Sequence, residues 1–320
     1  MFSHNPVRLI GALVALGAFP IAPARADVVR IPAQADVTIY EDDQDFANAL
    51  GSRIFAGNNN NGDARRALVL FDVSGSVPVG SEILGVRLEM YVERTVADLV
   101  PIALHRVTAS WVEGPASARG EGGGQGVLAE TGDVTWLHRR FVTQLWQTPG
   151  GDFVAAPTAS QMVGEAEQMF AWTSPEMIDD VASWLETPDA NYGWILIGNE
   201  SRNSTTKAFS SAQAVDDLLR PTLIVDFVPP PGSGACCAAS GRCTVGTPET
   251  CGASFVAEGA ACGPNPCPQP QGACCLPVPD ATCQAGTRDE CAALSESISA
   301  PKRPALRTRA GPSSSPTPTR

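Results

Sequence analysis

The chain reads as all-β: a jelly-roll-like β-sandwich with one short helix, followed by a small disulfide-rich C-terminal module. Three observations predict this. Short segments of alternating apolar residues recur through 27–228, separated by Gly, Pro, Asn and Asp clusters. A single stretch, 174–188, instead carries apolar residues at helical spacing with helix stop and start signals. All ten cysteines fall within 236–291, and none precedes them.

Taken in order, residues 1–26 read as a secretory signal. Arg8 precedes the apolar run "LIGALVALGAF", and Ala24-Arg25-Ala26 supplies a small-x-small cleavage site. The run is too short and too soon followed by prolines for a membrane span, and no later segment is apolar enough for one. A secreted, extracellular product is the expectation, with an uncleaved N-terminal anchor as the competing one.

Strands are expected at 35–42, 66–74, 82–94, 100–107, 192–200, 205–211 and 220–227. The stretch 82–94 alternates cleanly, with Val86, Leu88, Met90 and Val92 on one face and Arg87, Glu89, Tyr91 and Glu93 on the other. Many short strands between turn clusters, with the last one at the domain boundary, predict two packed sheets. The helix has Ser174 as its cap and Pro175 at its first position. Ile178, Val181, Trp184 and Leu185 recur along it, and Pro188 ends it. Trp184 and Trp194 are expected in the core. The irregular region 111–170 includes "GPASARGEGGGQG", which lacks the strand and helix context of a phosphate loop and reads as a surface loop.

Residues 229–234 form a Pro/Gly linker, and 235–295 hold cysteine-rich repeats. "GACCAASGRCTVGTPETC" (234–251) and "GACCLPVPDATCQAGTRDEC" (272–291) begin alike. The first copy uses Cys236, Cys237, Cys243, Cys251, Cys262 and Cys267, whereas the second stops after Cys274, Cys275, Cys283 and Cys291. Even counts at fixed spacing in an exported chain predict disulfides, with the pairing left open. Zinc is the alternative, but the module has no histidine and no CxxC pair. The missing last cysteines point to a truncated or frame-shifted terminus, and 296–320 read as a disordered basic tail.

Charge excludes one class of partner. Removing Arg8, Arg25, Lys302, Arg303, Arg307, Arg309 and Arg320, seven cations, from the formal −12 leaves −19 on 27–296, with Lys207 as the single lysine. Such a surface repels phosphate backbones, so no nucleic acid is expected. Catalytic signatures are also absent: there is no GxSxG, no HExxH, and no cysteine outside the disulfide module, and His105 and His138 lie far apart in sequence. A carboxylate pair of the glycosidase kind stays open, because any acidic chain offers carboxylates. No cofactor is expected. Asp42, Asp43 and Asp45 in "YEDDQD" are candidate ligands for a structural calcium, against the alternative of a solvated acidic turn.

A binding module draws on other residues. Sugars stack their C–H faces on aromatic rings and place their hydroxyls on planar polar groups. Trp136 in "TWLHRR" and Trp146 in "QLWQTPGGD" sit in polar loop sequence and are expected to be exposed, as ligand platforms or loop anchors. Asn199-Glu200-Ser201 and Asn203-Ser204-Thr205 are formal glycosylation sequons.

The segment "FAGNNNNGDARRALVLFD" (55–72) runs an Asn/Gly loop into Arg65-Arg66 and an apolar strand, then a Pro-Gly turn and a long alternating strand. With "LHRVTASWVEG", "GDVTWLHR", "WQTPGGDF", "VASWLETPDANYGWILIGNES" and "RPTLIVDF", it makes 27–228 resemble the DNRLRE-type domains. These are grouped with carbohydrate-binding modules of exported bacterial proteins. The Gly-Ala-Cys-Cys units resemble repeats at the ends of exported proteins from environmental bacteria. The first resemblance implies a β-sandwich that binds polysaccharide or cell-surface glycan, with alginate-like acidic polymers as the best-described class. It places the contacts on Arg66, Arg65 and Arg53, to which Asn58 and Asn60 would add hydrogen-bonding amide contacts. The chain departs from the family where Phe-x-Ser-Arg-Glu is expected, because residues 209–213 read Phe-Ser-Ser-Ala-Gln. A structural or adhesive surface protein is the alternative function, and a polysaccharide lyase or glycosidase is a further one. The sequence does not set an oligomeric state.

Overall fold

The computed structural model describes residues 26–118, 124–260, 262, 265–275 and 283–286. Residues 1–25 of the expected leader, part of the glycine-rich loop, Cys291 and the basic tail lie outside the described residues. For Cys274, Cys275 and Cys283 the backbone alone is described.

The expected all-β, jelly-roll-like sandwich is what the chain forms. Its strands are β1 (Asp27–Pro32), β2 (Ala35–Tyr40), β3 (Phe46–Asn48), β4 (Arg53–Asn58), β5 (Ala64–Leu70) and β6 (Glu82–Thr95). There follow β7 (Val100–Arg106), β8 (Val127–Leu128), β9 (His138–Arg140), β10 (Gln144–Leu145), β11 (Ala159–Val163) and β12 (Gln168–Trp172). Helix α1 (Pro175–Glu186) then leads to β13 (Trp194–Ile197), β14 (Lys207–Ser210) and β15 (Thr222–Val228).

One sheet runs β1-β15-β6-β14-β4, with β12 also on β6, and the other runs β5-β13-β7-β11, with β2 on β5. Strand β4 belongs to both. Its residues 53–56 pair with β14, and Gly57 and Asn58 pair with β5. Gly57 makes the change of sheet with φ +111, and a Cβ there would meet the Thr205 carbonyl oxygen at 2.7 Å.

The two sheets bury one core between them. Alternation in β6 sends Val86, Leu88, Met90 and Val92 inward, where they meet Ala67, Val69, Ile102, Leu104 and Trp194 of the opposite sheet. The second sheet is covered on its other face too. There Val37, Ile39, Leu68 and Ile195 pack under Val134, Trp136 and Trp146 of the long irregular region. The region 111–170, expected to be irregular, thus holds β8–β11 and the start of β12, and residues 134–146 within it form a packed layer.

Helix α1 forms as its caps predict: Ser174 Oγ accepts from the Met177 N–H at 3.1 Å, and Pro175 starts the first turn. Met177, Val181, Trp184 and Leu185 enter the core, where the Trp184 ring lies 4.6 Å from that of Trp194. Asp180 on the same helix is buried. Its Oδ2 accepts from Trp194 Nε1 and Thr158 Oγ1, both at 2.8 Å, and Arg106 stands 3.3 Å from its Oδ1. Lys207 is fully buried as well. Its ammonium donates to the carbonyls of Ala97, Asp98 and Gly164 at 2.6–2.7 Å, which ties the turn after β6 to the turn after β11.

In the cysteine module, β16 (Gly234–Cys237), β17 (Cys243–Gly246) and β18 (Phe255–Glu258) form a small sheet beside the four-residue helix α2 (Pro248–Cys251). Cys236 bonds Cys251 and Cys243 bonds Cys262, and Cys237 and Cys267 are disulfide-bonded as well. The repeat seen in the sequence gives the same hairpin twice. Strands β19 (Gly272–Cys275) and β20 (Cys283–Gly286) pair Cys275 with Cys283 as β16 and β17 pair Cys237 with Cys243. By compactness the chain divides into two units. One takes the residues up to 237 with 243–266, and the other takes 238–242 with those from 267 on.

Asp180→Ala leaves two buried donors without their shared acceptor, so it should cost about 2–4 kcal/mol of unfolding free energy. Asp180→Asn, which keeps one acceptor oxygen, should cost less. Urea denaturation of the two variants checks the order, and equal, small losses would refute the role of the carboxylate.

Candidate functional site

The stretch that carries the arginines is a hairpin. β4 and β5 are joined through Asn59-Asn60-Asn61-Gly62-Asp63, and the hairpin is docked on residues 199–206. The Asn58 amide donates to the Glu200 carbonyl at 3.0 Å, and its N–H donates to Thr205 Oγ1 at 2.9 Å. Asn60 Oδ1 accepts from Ser204 Oγ at 3.0 Å, and its carbonyl accepts from the Asn203 amide at 3.1 Å. Both asparagines expected on a ligand thus hold the hairpin in place. Asn58 is buried, with its Oδ1 unpaired.

Neighbouring residues on a strand face opposite ways. Arg65 shares a face with Ala67 and Val69, and Arg66 shares one with Leu68. Arg65 is buried. Its guanidinium lies 5.0 Å from the centre of the Tyr40 ring and donates to Asp42 Oδ2 at 2.8 Å and to the Gly124 carbonyl at 3.0 Å. Arg66 grips Glu200 with two bonds of 2.8 Å and gives a third, of 2.9 Å, to the Gly150 carbonyl. Its Cζ lies 4.7 Å from the centre of the Trp136 ring. The two arginines therefore belong to separate networks and do not form one cationic patch.

The tryptophans correct an expectation. Trp136 and Trp146 are each only 5% exposed, because they pack in the second layer against Val37, Ile39, Leu68 and Ile195. Trp146 Nε1 donates to the Thr135 carbonyl at 3.0 Å, and Trp136 supports Arg66. Both are loop anchors. Polar flanking sequence failed as an exposure signal because those flanks are satisfied locally: the His138 N–H donates to Thr135 Oγ1, and the Gln147 and Thr148 N–H groups donate to the Asp152 carboxylate.

Asp42 turns its Oδ2 to Arg65 and to the Asn59 amide, and among the described residues no group of three or more His, Cys, Asp or Glu is placed to hold a metal. His105 and His138 are engaged locally. His105 Nδ1 lies 2.9 Å from the Val154 carbonyl, and His138 Nδ1 lies 3.3 Å from Thr135 Oγ1.

Arg53 has a different setting. It lies on the wall of an open groove of about 510 Å³, together with Tyr91, Glu93, Arg94, Glu167 and Asp216. Arg53 pairs with Glu93, whose second oxygen accepts from Ser210 Oγ at 2.8 Å. Glu167 sits at φ +60, a conformation that non-glycine residues rarely adopt. The neighbouring loop presents Val215, 97% exposed, at the rim. From the sequence, the period-two alternation of β6 puts Tyr91 and Glu93 on one outward face. Nothing in it, however, links that face to 214–219.

A second feature escaped sequence reading. Residues 212 and 213, just after β14, dock on Asp36 and Glu113. The Ala212 N–H donates to Asp36 Oδ2 at 2.5 Å, and Glu113 Oε1 accepts from the Asp36 N–H and from the Gln213 amide. Burial pushes the Asp36 carboxyl well above the ordinary 3.8, the Ala212 bond opposes this, and the Glu113 charge adds to it. Burial likewise raises Glu113. Asp36 Oδ1 is left without a partner.

Two outcomes follow. Arg66→Ala breaks a largely buried charged fork and strands Glu200, so it should lower stability by about 3 kcal/mol, with Arg66→Lys restoring only part of it. For Asp36, a raised folded pKa means that the native chain holds a proton that the unfolded chain releases above 3.8. Its contribution is therefore complete below that pH and is lost as pH rises toward the folded value. Asp36→Asn should flatten the decline in stability from acidic to neutral pH. An unchanged pH profile would show that Asp36 does not titrate there.

No protein-family model matches the chain, and no curated protein matches it.

Proposed function

We propose that the sandwich is a non-catalytic module of an exported protein that binds an uncharged polysaccharide or glycan in the groove beside Arg53. The supporting observation is the pairing of the arginines. Arg65, Arg66 and Arg53 each have a carboxylate of this chain as partner: Asp42, Glu200 and Glu93. An acidic polymer would have to displace one of these. In the groove, two guanidinium groups face three carboxylates, and the chain around them is strongly acidic. Hydroxyls need both donors and acceptors, which the Arg53–Glu93 pair offers side by side. Tyr91 and Val215 offer surface for sugar C–H faces.

The resemblance to DNRLRE domains supports carbohydrate binding as a class, and the ligand favoured here is the uncharged member of that class. The disulfides, and the lack among the described residues of any helix long and apolar enough to cross a membrane, agree with an extracellular setting. A structural or adhesive role is the second reading. It is favoured by how completely Arg65 and Arg66 are used inside the fold.

Affinity electrophoresis of the full chain in gels of neutral glucan, mannan or galactan, and of alginate, tests the assignment. Retardation should occur in a neutral gel, should survive raised salt, and should fall with Arg53→Ala and Tyr91→Ala. Glu167→Gly should weaken retardation while keeping or raising the Tm, because glycine relieves the positive φ. Retardation by alginate alone, lost in salt, would refute the uncharged ligand. No retardation in any gel would favour the structural role, and sugar release would make the protein an enzyme.

A further inference from the structure

The four asparagines at the end of β4 and in the β4–β5 turn have different roles. Asn58 and Asn60 dock the hairpin, as described above. Asn59 Oδ1 accepts three backbone N–H groups at once, from Asn61 at 2.8 Å and from Gly62 and Asp63 at 2.9 Å. Its Nδ2 donates to Asp63 Oδ2 at 2.9 Å and to Asp42 Oδ2 at 3.3 Å. Donors on one side and carboxylates on the other fix which end of the amide is oxygen. Asn61 is exposed, and its side chain makes no hydrogen bond among the described residues.

An exposed Asn followed by Gly is chemically labile. The Gly62 nitrogen can attack Asn61 Cγ, because glycine has no side chain to hinder the approach. A new N–C bond closes a five-membered imide and the Cγ–Nδ2 bond breaks. Nδ2 leaves as ammonia, taking up the proton that the Gly62 nitrogen loses. Water then opens the ring at either carbonyl, giving an aspartyl or isoaspartyl linkage at position 61.

The attack requires the 61–62 peptide plane to turn toward the side chain. In the fold that plane is pinned, since the nitrogen that must attack is one of the three donors held by Asn59. We propose that Asn61 is a deamidation site and that Asn59 is its guard, holding the Gly62 N–H away from the reaction. The guard is itself anchored, because Asp42 bonds both the Asn59 amide and the Arg65 guanidinium. A buried arginine that takes no part in the proposed binding site thus acquires a purpose: it stiffens a loop with a reactive bond. The product carries an added negative charge next to Asp63, and the isoaspartyl form lengthens the backbone between two of the three pinned N–H groups.

The full-length protein is incubated at mildly alkaline pH and digested with trypsin, which cuts after Arg53 and Arg65. The peptide 54–65 is then followed by mass spectrometry for conversion of amide to acid, with fragment ions locating the position. Folded wild type should convert slowly and the urea-denatured chain much faster, both at Asn61. Asn59→Ala should speed conversion in the folded protein by about fivefold, the factor equivalent to roughly 1 kcal/mol for one hydrogen bond. Asn60→Ala loosens the docking on Ser204 but leaves the guard, and should stay near the wild-type rate. Circular dichroism confirms that each variant is folded, and Asn59→Ser replaces Asn59→Ala if that variant is not. Equal rates in folded wild type and Asn59→Ala, or equal acceleration by Asn60→Ala, would overturn the guard. Conversion at another asparagine, or folded wild type reacting as fast as the denatured chain, would overturn the site.

Discussion

Both faces of β5 are covered, and much of the molecule follows from that constraint. An open sandwich strand sends alternate residues to a core and to water. Here one face meets the opposite sheet and the other meets the layer of Trp136 and Trp146. Any charge on such a strand must bring its own counter-charge, because an unpaired buried guanidinium is too costly. Arg65 finds Asp42 in the turn after β2, and Arg66 finds Glu200 in the loop after β13. The arginines therefore fix the positions of loops, and the asparagine hairpin is held between those loops.

The same economy of polar groups recurs in the core. Asp180 gathers Trp194, Thr158 and Arg106 onto the helix, and Lys207 gathers three carbonyls from two turns. Each replaces several weaker contacts by one buried group with its bonds satisfied. Asp36 is the exception. It has an unpartnered oxygen and a carboxylate neighbour, Glu113, so its raised pKa is the expected response of an acid that burial keeps neutral. Around it, Ala212 supplies an N–H to the Asp36 carboxyl and Gln213 supplies an amide to Glu113, so no cation neutralises the pair.

For function, the consequence is that cations visible in the sequence are not cations available to a ligand. Arg53 alone of the three lines an accessible groove, and it does so already paired. A mixed-charge wall beside a tyrosine suits a polyol better than a polyanion.

The sequence by itself determined that strands lie within 35–42, 66–74 and 82–94, although β2 stops at Tyr40 and β5 at Leu70, and it determined the capped helix after Ser174 and the grouping of cysteines, because period, capping and count are local properties. It also determined that Trp184 and Trp194 are core, since their neighbours are apolar at the matching period. Only the tertiary structure decided which residues meet. The partners of Arg65 and Arg66 lie 23 and 134 positions away. The second layer that holds Trp136 and Trp146 has no periodic signal, because its strands β9 and β10 are only three and two residues long. The Arg53 groove joins β4, β6 and residues 214–219, and that proximity comes from sheet order, which alternation along single strands does not encode.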